Sequence, residues 1–121
     1  MALQETYTST TDNLFAGTQV MPVVADGVTL AAAGEGAEPL ILRGTLLTTT
    51  DGKTYTPATD GDDVFAVLAE DTLADKEKQA PAYLTGEFNR RALITGDDSD
   101  VADFIFSARK AGIFIKDTVS A

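Results

Sequence analysis

The stretch AYLTGEFNRRALI, Ala82 to Ile94, decides how the second half of this chain folds. Polar and apolar side chains alternate over residues 83–88, which is the period of a β-strand. Gly86 interrupts the alternation, and a glycine inside a strand often marks a β-bulge. Glu87 and Asn89 raise a further question, because a carboxylate and an amide at a strand end either do chemistry or only shape the sheet.

Strand signals also occupy the chain before this stretch. Apolar β-branched residues on both sides of Asp26-Gly27 predict a hairpin, and a second hairpin is predicted around Asp51-Gly52, ended by Pro57. The apolar run VFAVLA, residues 64–69, predicts a short strand buried on both faces. Residues 70–80 are highly charged and predict a connection with at most a helical turn, stopped by Pro81.

The C-terminal part carries the only helix signal. Apolar residues recur there with helical spacing at Val101, Phe104, Ile105 and Ala108. Asp98 or Ser99 is the predicted N-cap, and Gly112 stands where a C′ glycine belongs. A last strand is predicted over residues 113–115. The sequence therefore predicts a mainly β (β-rich α+β) single domain over residues 20–121, with one short helix near its end.

Residues 1–19 differ in composition from this domain. They are rich in Thr and Ser and hold few large apolar groups, so they predict a flexible N-terminal arm that can add a strand to a partner. Leu14 and Phe15 are candidate anchors on this arm, because apolar side chains there have no predicted internal partner. The alternative is that both fold back onto their own domain.

Composition narrows the function classes. The 121 residues include no cysteine and no histidine, which excludes disulfides and thiolate metal sites and removes the commonest general base and zinc ligand. The formal net charge of −10 repels phosphate backbones, so nucleic-acid binding is not expected. No long apolar run predicts a membrane span or a signal peptide.

Three groups of residues were weighed as chemical sites. Gly52-Lys53-Thr54 resembles the end of a phosphate-binding loop, but the glycine that the motif needs at position 47 is Leu47, so a hairpin turn is favoured. Two acidic clusters, Asp60-Asp62-Asp63 and Asp97-Asp98-Asp100, do not follow the EF-hand pattern, and solvated turns are favoured over a calcium site. Glu70-Asp71 with Glu87 forms a weak candidate for a carboxylate pair of a hydrolase.

Four segments in order resemble the lambda-type head decoration (capsid cement) proteins of tailed phages. They are Arg43-Gly44-Thr45-Leu46-Leu47, Ala66-Val67-Leu68-Ala69-Glu70-Asp71, Gly86-Glu87-Phe88-Asn89 with Ala92-Leu93, and residues 108–115, ARKAGIFI. The resemblance covers about residues 20–116, and Glu5-Thr6-Tyr7-Thr8 is similar to the start of some members. Each motif alone is unspecific, but four in register are hard to obtain by chance.

The resemblance implies a structural protein rather than an enzyme, with no cofactor and no metal. It implies a homotrimer on the outer surface of the expanded capsid, made in the host cytoplasm, that clamps the major capsid protein and touches neither nucleic acid nor membrane. The arm, with Glu5, Thr6, Tyr7, Thr8, Leu14 and Phe15, would add a strand to the shell. In this interpretation Phe88 packs in the core while Glu87 and Asn89 fix the turn into Arg90. The alternatives are a small β-rich module that binds carbohydrate or peptide, and a carboxylate hydrolase.

Overall fold

A computed structural model describes residues 14–17, 22–34, 36–97 and 99–117 of the chain. Within these residues the fold is mainly β with one short helix near the C-terminus, as the sequence predicts. The elements are β1 (Phe15–Gly17), β2 (Val23–Leu30), β3 (Leu40–Ile41), β4 (Leu46–Thr49), β5 (Thr54–Pro57), β6 (Ala66–Leu68), β7 (Thr72–Leu73), β8 (Lys78–Asn89), 3₁₀ segments Arg90–Ala92 and Val101–Phe104, α1 (Ile105–Lys110) and β9 (Ile113–Lys116).

Five strands close into a small barrel. Their hydrogen-bonded order is β8, β2, β5, β4 and β6, and β6 pairs again with β8 to complete the circuit. All neighbours are antiparallel except β2 and β5, which run parallel. Closure leaves none of these five strands as an open sheet edge along its paired length.

The long strand β8 belongs to two sheets. Its first part, residues 78–85, pairs with β2 and β6 in the barrel. Its second part, residues 86–89, runs between β1, which is antiparallel, and β9, which is parallel. The stretch quoted above therefore joins the barrel to the sheet that carries both ends of the described chain.

Two apolar clusters lie on the two faces of the barrel wall. The inner cluster contains Leu30, Leu47, Ala66, Leu68, Ala80 and Ala82. The outer cluster is covered by α1, β1 and β9 and contains Leu14, Leu46, Ala58, Val64, Val67, Phe88, Leu93, Phe104, Ala108, Ile113 and Ile115. Adjacent residues on β4 and β6 point into different clusters, so β6 is buried on both faces. The predicted strand over residues 64–69 is therefore confirmed for residues 66–68, whereas Phe65 is exposed.

The strand irregularity predicted at Gly86 is confirmed. Tyr83 packs against the outer cluster and Leu84 against the inner one, so strict alternation would place Phe88 on the inner side, yet Phe88 lies in the outer cluster. Gly86 has a φ of 145°, and a Cβ there would lie 3.0 Å from the Phe88 ring. The pairing of β8 with β2 also shifts between Val23 and Val24. The strand thus changes face as it leaves the barrel.

Two of the predicted turns differ from the structure. Asp26-Gly27 does not close a hairpin, because β2 runs through it as one strand with an extra residue between the pairs Ala25–Ala82 and Val28–Ala80. Gly27 has a φ of 82°, which suits a bulge of the kind that begins with a left-handed glycine. Pro81 does not stop a charged connection either; it lies inside β8.

The other local predictions are confirmed with small changes. The hairpin at Asp51-Gly52 joins β4 to β5, and its strands pair up to Pro57. The helix begins as a 3₁₀ segment whose N-cap is Asp100, which accepts a hydrogen bond from the Ala102 N–H, rather than Asp98 or Ser99. Ala111 is the C-cap of α1, so Gly112 holds the C′ position. The final strand is β9.

Candidate interaction surfaces

The predicted anchors on the arm are part of the domain. Leu14 is 2 % exposed and lies in the outer cluster, and its carbonyl oxygen accepts a hydrogen bond from the Asn89 N–H at 2.7 Å. Phe15 pairs with Phe88 across β1 and β8. The expectation that these two side chains lack an internal partner is therefore wrong, and the alternative, that they fold back, is what the structure shows. The described part of the arm, residues 14–17, belongs to the domain.

An aromatic cluster with one guanidinium fixes this segment, and we call it the arm-root cluster: Leu14, Phe15, Arg43, Tyr83 and Phe88. The Phe15 ring lies edge-on to Tyr83 at 5.0 Å and tilted against Phe88 at 5.3 Å between centroids. The Arg43 guanidinium carbon lies 5.9 Å from the Phe15 ring centre and 5.5 Å from that of Tyr83. Cation–π attraction and ring packing therefore hold residues 14–17 on the barrel wall.

Backbone and hydroxyl acceptors orient the Arg43 side chain. Its Nη1 donates to the Ala69 carbonyl at 2.7 Å and to the Tyr83 hydroxyl at 3.0 Å. Its backbone N–H donates to the Asp71 carboxylate at 2.7 Å. Arg43 thus joins two of the four segments that carry the family resemblance, and the aromatic contacts join it to a third through Phe88.

Glu87 and Asn89 have structural partners in this arrangement. The Glu87 carboxylate is 3 % exposed and accepts a hydrogen bond from the Lys116 ammonium at 2.7 Å. A Cβ on Gly17 would lie 2.6 Å from the Glu87 Oε1. The backbone of β1 can therefore come this close to Glu87 only because residue 17 is a glycine. The Asn89 side chain accepts from the Arg91 N–H and caps the 3₁₀ turn. These contacts give Glu87 a role in the sheet and Asn89 a role in the turn that follows it.

The other candidate carboxylates and the glycine-lysine turn are engaged in local structure. Asp71, which is exposed, contacts the Arg43 backbone, whereas Glu87 contacts Lys116 inside the sheet, so these two carboxylates serve different partners. The backbone N–H groups of Lys53 and Thr54 donate to Asp51, which lowers the pKa of that carboxyl. Gly52-Lys53-Thr54 is therefore a hairpin turn.

The acidic clusters form turns that flank one another. The Asp97 carboxylate accepts from the Ser99 hydroxyl and from the Asp60 backbone N–H, and these hydrogen bonds, the hydroxyl first, lower its pKa. Asp62 accepts from the Thr59 N–H and hydroxyl. In the described residues, which leave out Asp98, no group of three acidic side chains is arranged to hold a metal ion.

A groove with apolar walls is the second candidate interaction surface. It has a volume of about 400 Å³ and is lined by residues 31–34, 37–38, 40–42 and 94–96 together with Thr45, Thr56, Pro57 and Thr59. Leu40 is 45 %, Leu42 43 % and Ile94 36 % exposed along it. Sequence reasoning missed this groove, because its walls come from loops that are adjacent only after the barrel closes.

The barrel holds the groove walls by backbone hydrogen bonds. The Ala31 N–H donates to the Tyr55 carbonyl, the Ala33 N–H to Ala74, and the Gly96 N–H to Ala58. On the third wall, β3 pairs with β7. The walls therefore belong to hydrogen-bonded structure, and the groove is a preformed surface of the kind that binds ligands or partner side chains.

The remaining predicted site residues, Glu5, Thr6, Tyr7 and Thr8, lie outside the described part of the chain. Among the described residues no helix is long and apolar enough to cross a bilayer. Comparison with protein-family models and with curated proteins finds no match for this chain. The class that fold and surfaces define is a small, mainly β domain with a packed N-terminal strand and a preformed apolar groove.

Proposed function

We propose that this protein is a capsid decoration protein, which binds the outer surface of an expanded phage head as a homotrimer and clamps the major capsid protein. The observation that carries the proposal is the resemblance of four segments, in order, to the lambda-type decoration proteins. Catalysis has no part in the proposal, and neither does a cofactor.

The spatial arrangement of the four segments supports treating them as one unit. Arg43 and Gly44 bond to Ala69 and Leu68, respectively. Residues 86–89 pair along their length with residues 113–116. Segments that are distant in sequence and combine into one scaffold carry more weight than four separate matches, because a chance resemblance has no reason to converge in space.

The net charge of the chain and the fixed position of Leu14, which follows residues 1–13, both fit a clamp on the outside of the capsid. The net charge of −10 suits a surface that does not touch packaged DNA. Residues 1–13 precede Leu14, which the arm-root cluster fixes to the barrel, so a strand that these residues add to the shell would be tied directly to the domain core. Three such ties in one trimer would raise avidity without any new kind of contact.

Co-sedimentation with expanded tailed-phage shells that lack their decoration protein tests the proposal. We expect saturable binding of the full chain. A variant that begins at Leu14 keeps the arm-root cluster and should bind about tenfold or more weaker, since main-chain hydrogen bonds and multivalency are lost. A variant with residues 2–13 in scrambled order is the matched control for length and composition. If the full chain binds none of the related shells that are tested, the proposal is wrong.

The groove favours a second candidate function, that of a small binding module for peptide. No aromatic residue is among the described residues that line it, which disfavours the carbohydrate version, because sugar platforms are usually aromatic. The two candidates differ in their requirement for a shell. A module would bind a peptide as a monomer and leave shells in the supernatant, whereas a decoration protein would pellet with them.

A further inference from the structure

The groove is mainly apolar, with one carboxylate in its lining and a second next to the lining in sequence. Among its described lining residues Glu38 is the only charged one, and Leu40, Leu42 and Ile94 expose apolar surface beside it. Asp97 directly follows the lining residue Gly96 and is exposed, so it is a second carboxylate beside the groove lining. A partner that fits this surface presents a bulky apolar group flanked by cations.

The exposed face of α1 has the complementary composition. Phe106 is 69 % exposed, the largest value among the exposed large apolar residues of the described chain, while its neighbours Phe104 and Ala108 are buried beneath the helix. The Lys110 ammonium lies 4.9 Å from the Phe106 ring centre. Arg109 and Lys110 are both exposed, and neither forms an ion pair with any residue that the structure describes.

We propose that the α1 face of one protomer docks into the apolar groove of a second copy of the chain, with Phe106 seated between the groove walls and Arg109 and Lys110 directed at Glu38 and Asp97. The groove holds about 400 Å³, which is within the range of pockets that enclose small ligands and admits an aromatic ring. The inference rests on the proposed function, from which it takes the homotrimer, and it names the two surfaces that join its protomers.

The choice of a second copy follows from charge and from geometry. Nineteen acidic and nine basic side chains make most of this surface repel another copy, so self-association requires that the basic side chains meet acids. We call Phe106 with Arg109 and Lys110 the knob. The knob and the groove are different patches of one chain, and an interface between two different patches is heterologous. Such an interface closes into a ring when the rotation between protomers divides a full turn, as a trimer requires.

Disulfide trapping tests the contact without relying on a loss of function. The natural chain has no cysteine, so single introduced thiols report on one pair at a time. Ala102→Cys lies four residues before Phe106 on the exposed face and preserves the knob, while Ala32→Cys and Ala37→Cys lie in the groove. Mixing the helix-side protein with either groove-side protein under oxidation should give a linked dimer, because disulfides need Cα atoms about 4.4–6.8 Å apart. Thr50→Cys, on the β4–β5 hairpin and outside the groove lining, is the matched control.

A second measurement removes the knob. Phe106→Ala should raise the concentration at which half the protein is trimeric by about tenfold or more, as removal of a central interface anchor does. Phe65→Ala is the matched control, since Phe65 is also exposed, at 42 %, but lies on neither surface. Sedimentation velocity over a range of protein concentrations gives the readout.

Both measurements are made on free protein and on shells, which separates this inference from the proposed function. The contact is supported if the helix–groove mixtures give linked dimers, on free protein or on shells, and the Thr50→Cys control gives none. Shell binding with neither linkage nor a Phe106 effect on the trimer overturns the contact and leaves the function standing. A Phe106 effect confined to shell binding assigns the knob to the capsid protein and overturns the contact as well. A protein that is monomeric under all conditions and never linked also overturns it.

Discussion

Gly44 offers the sharpest test of how closely the segment before β4 packs against the backbone of Ala92. Its φ is 97°, a conformation that an L side chain adopts at a cost of about 1–2 kcal/mol. A Cβ built there would lie 2.5 Å from the Ala92 carbonyl oxygen and 3.4 Å from the Leu14 Cδ1. The first contact is with backbone, which cannot rotate away as a side chain does.

The expected cost of Gly44→Ala is therefore the sum of two effects. Forcing a methyl group into a filled site typically costs about 1–3 kcal/mol, so the total loss in the free energy of unfolding is about 2–5 kcal/mol. Gly52→Ala is the matched control, because Gly52 also has a positive φ, 76°, but a Cβ there meets nothing within 4 Å. It should lose only the conformational part.

Urea unfolding followed by far-UV circular dichroism measures the difference, since the chain has no tryptophan for fluorescence. A difference of about 2 kcal/mol between the two variants would separate their midpoints by about 1 M, given typical denaturant slopes of about 1–3 kcal/mol/M. If Gly44→Ala falls within about 0.5 kcal/mol of Gly52→Ala, the close approach of the Ala92 backbone is not a constraint and this reasoning fails.

Three further predictions concern single side chains. Lys116→Met removes the ammonium group that donates a hydrogen bond to the buried Glu87 carboxylate, and it should lower the free energy of unfolding in urea by about 1–3 kcal/mol. Adding Glu87→Gln should recover much of that loss. Leu14→Ala should cost about 2–5 kcal/mol because Leu14 is buried, whereas Leu73→Ala, at a residue 48 % exposed, should change stability by less than about 0.5 kcal/mol. The lowered pKa of Asp51 means that its carboxylate stabilises the fold above the unfolded pKa of about 3.9 and loses that effect as pH falls through the lower folded value. The stability gap between wild type and Asp51→Ala should thus shrink from pH 5 to pH 2.5, and a gap that widens toward acid would contradict this.

The features that sequence predicted well depend on local chemistry. The turn at Asp51-Gly52 and the helix end at Gly112 are set by residues within four positions of each other, and the structure confirms both. The apolar run predicted the strand β6 because residues 66–68 are buried on both sides. Local signals of this kind survive folding unchanged, since no distant contact competes with them.

The errors arose where long-range pairing overrides a local preference. Asp26-Gly27 has hairpin chemistry, but β8 on one side and β5 on the other hold β2 in a continuous ladder, so the glycine is used for a bulge. Leu14 and Phe15 lie in a segment poor in apolar residues, and long-range contacts, such as those of Phe15 with Tyr83 and Phe88, give them a place in the domain. The residues next to them in sequence do not reveal these long-range contacts.

The same distinction bears on what the family resemblance can support. Of the matched segments, residues 44–47, 66–68 and 86–89 are all buried, and the contacts of Arg43, Glu87 and Asn89 tie them to one another or to the arm root. These residues determine the fold, and a resemblance carried by them is an argument about architecture. Of the surfaces that would touch a partner, Phe106, Leu40 and Ile94 lie outside the matched segments, whereas Arg109, Lys110 and the groove residue Thr45 lie inside them. A mutation in the shared core would therefore abolish shell binding simply by unfolding the domain. Substitutions on these two surfaces leave the core intact, so they can separate a decoration protein from another small β domain built on the same scaffold.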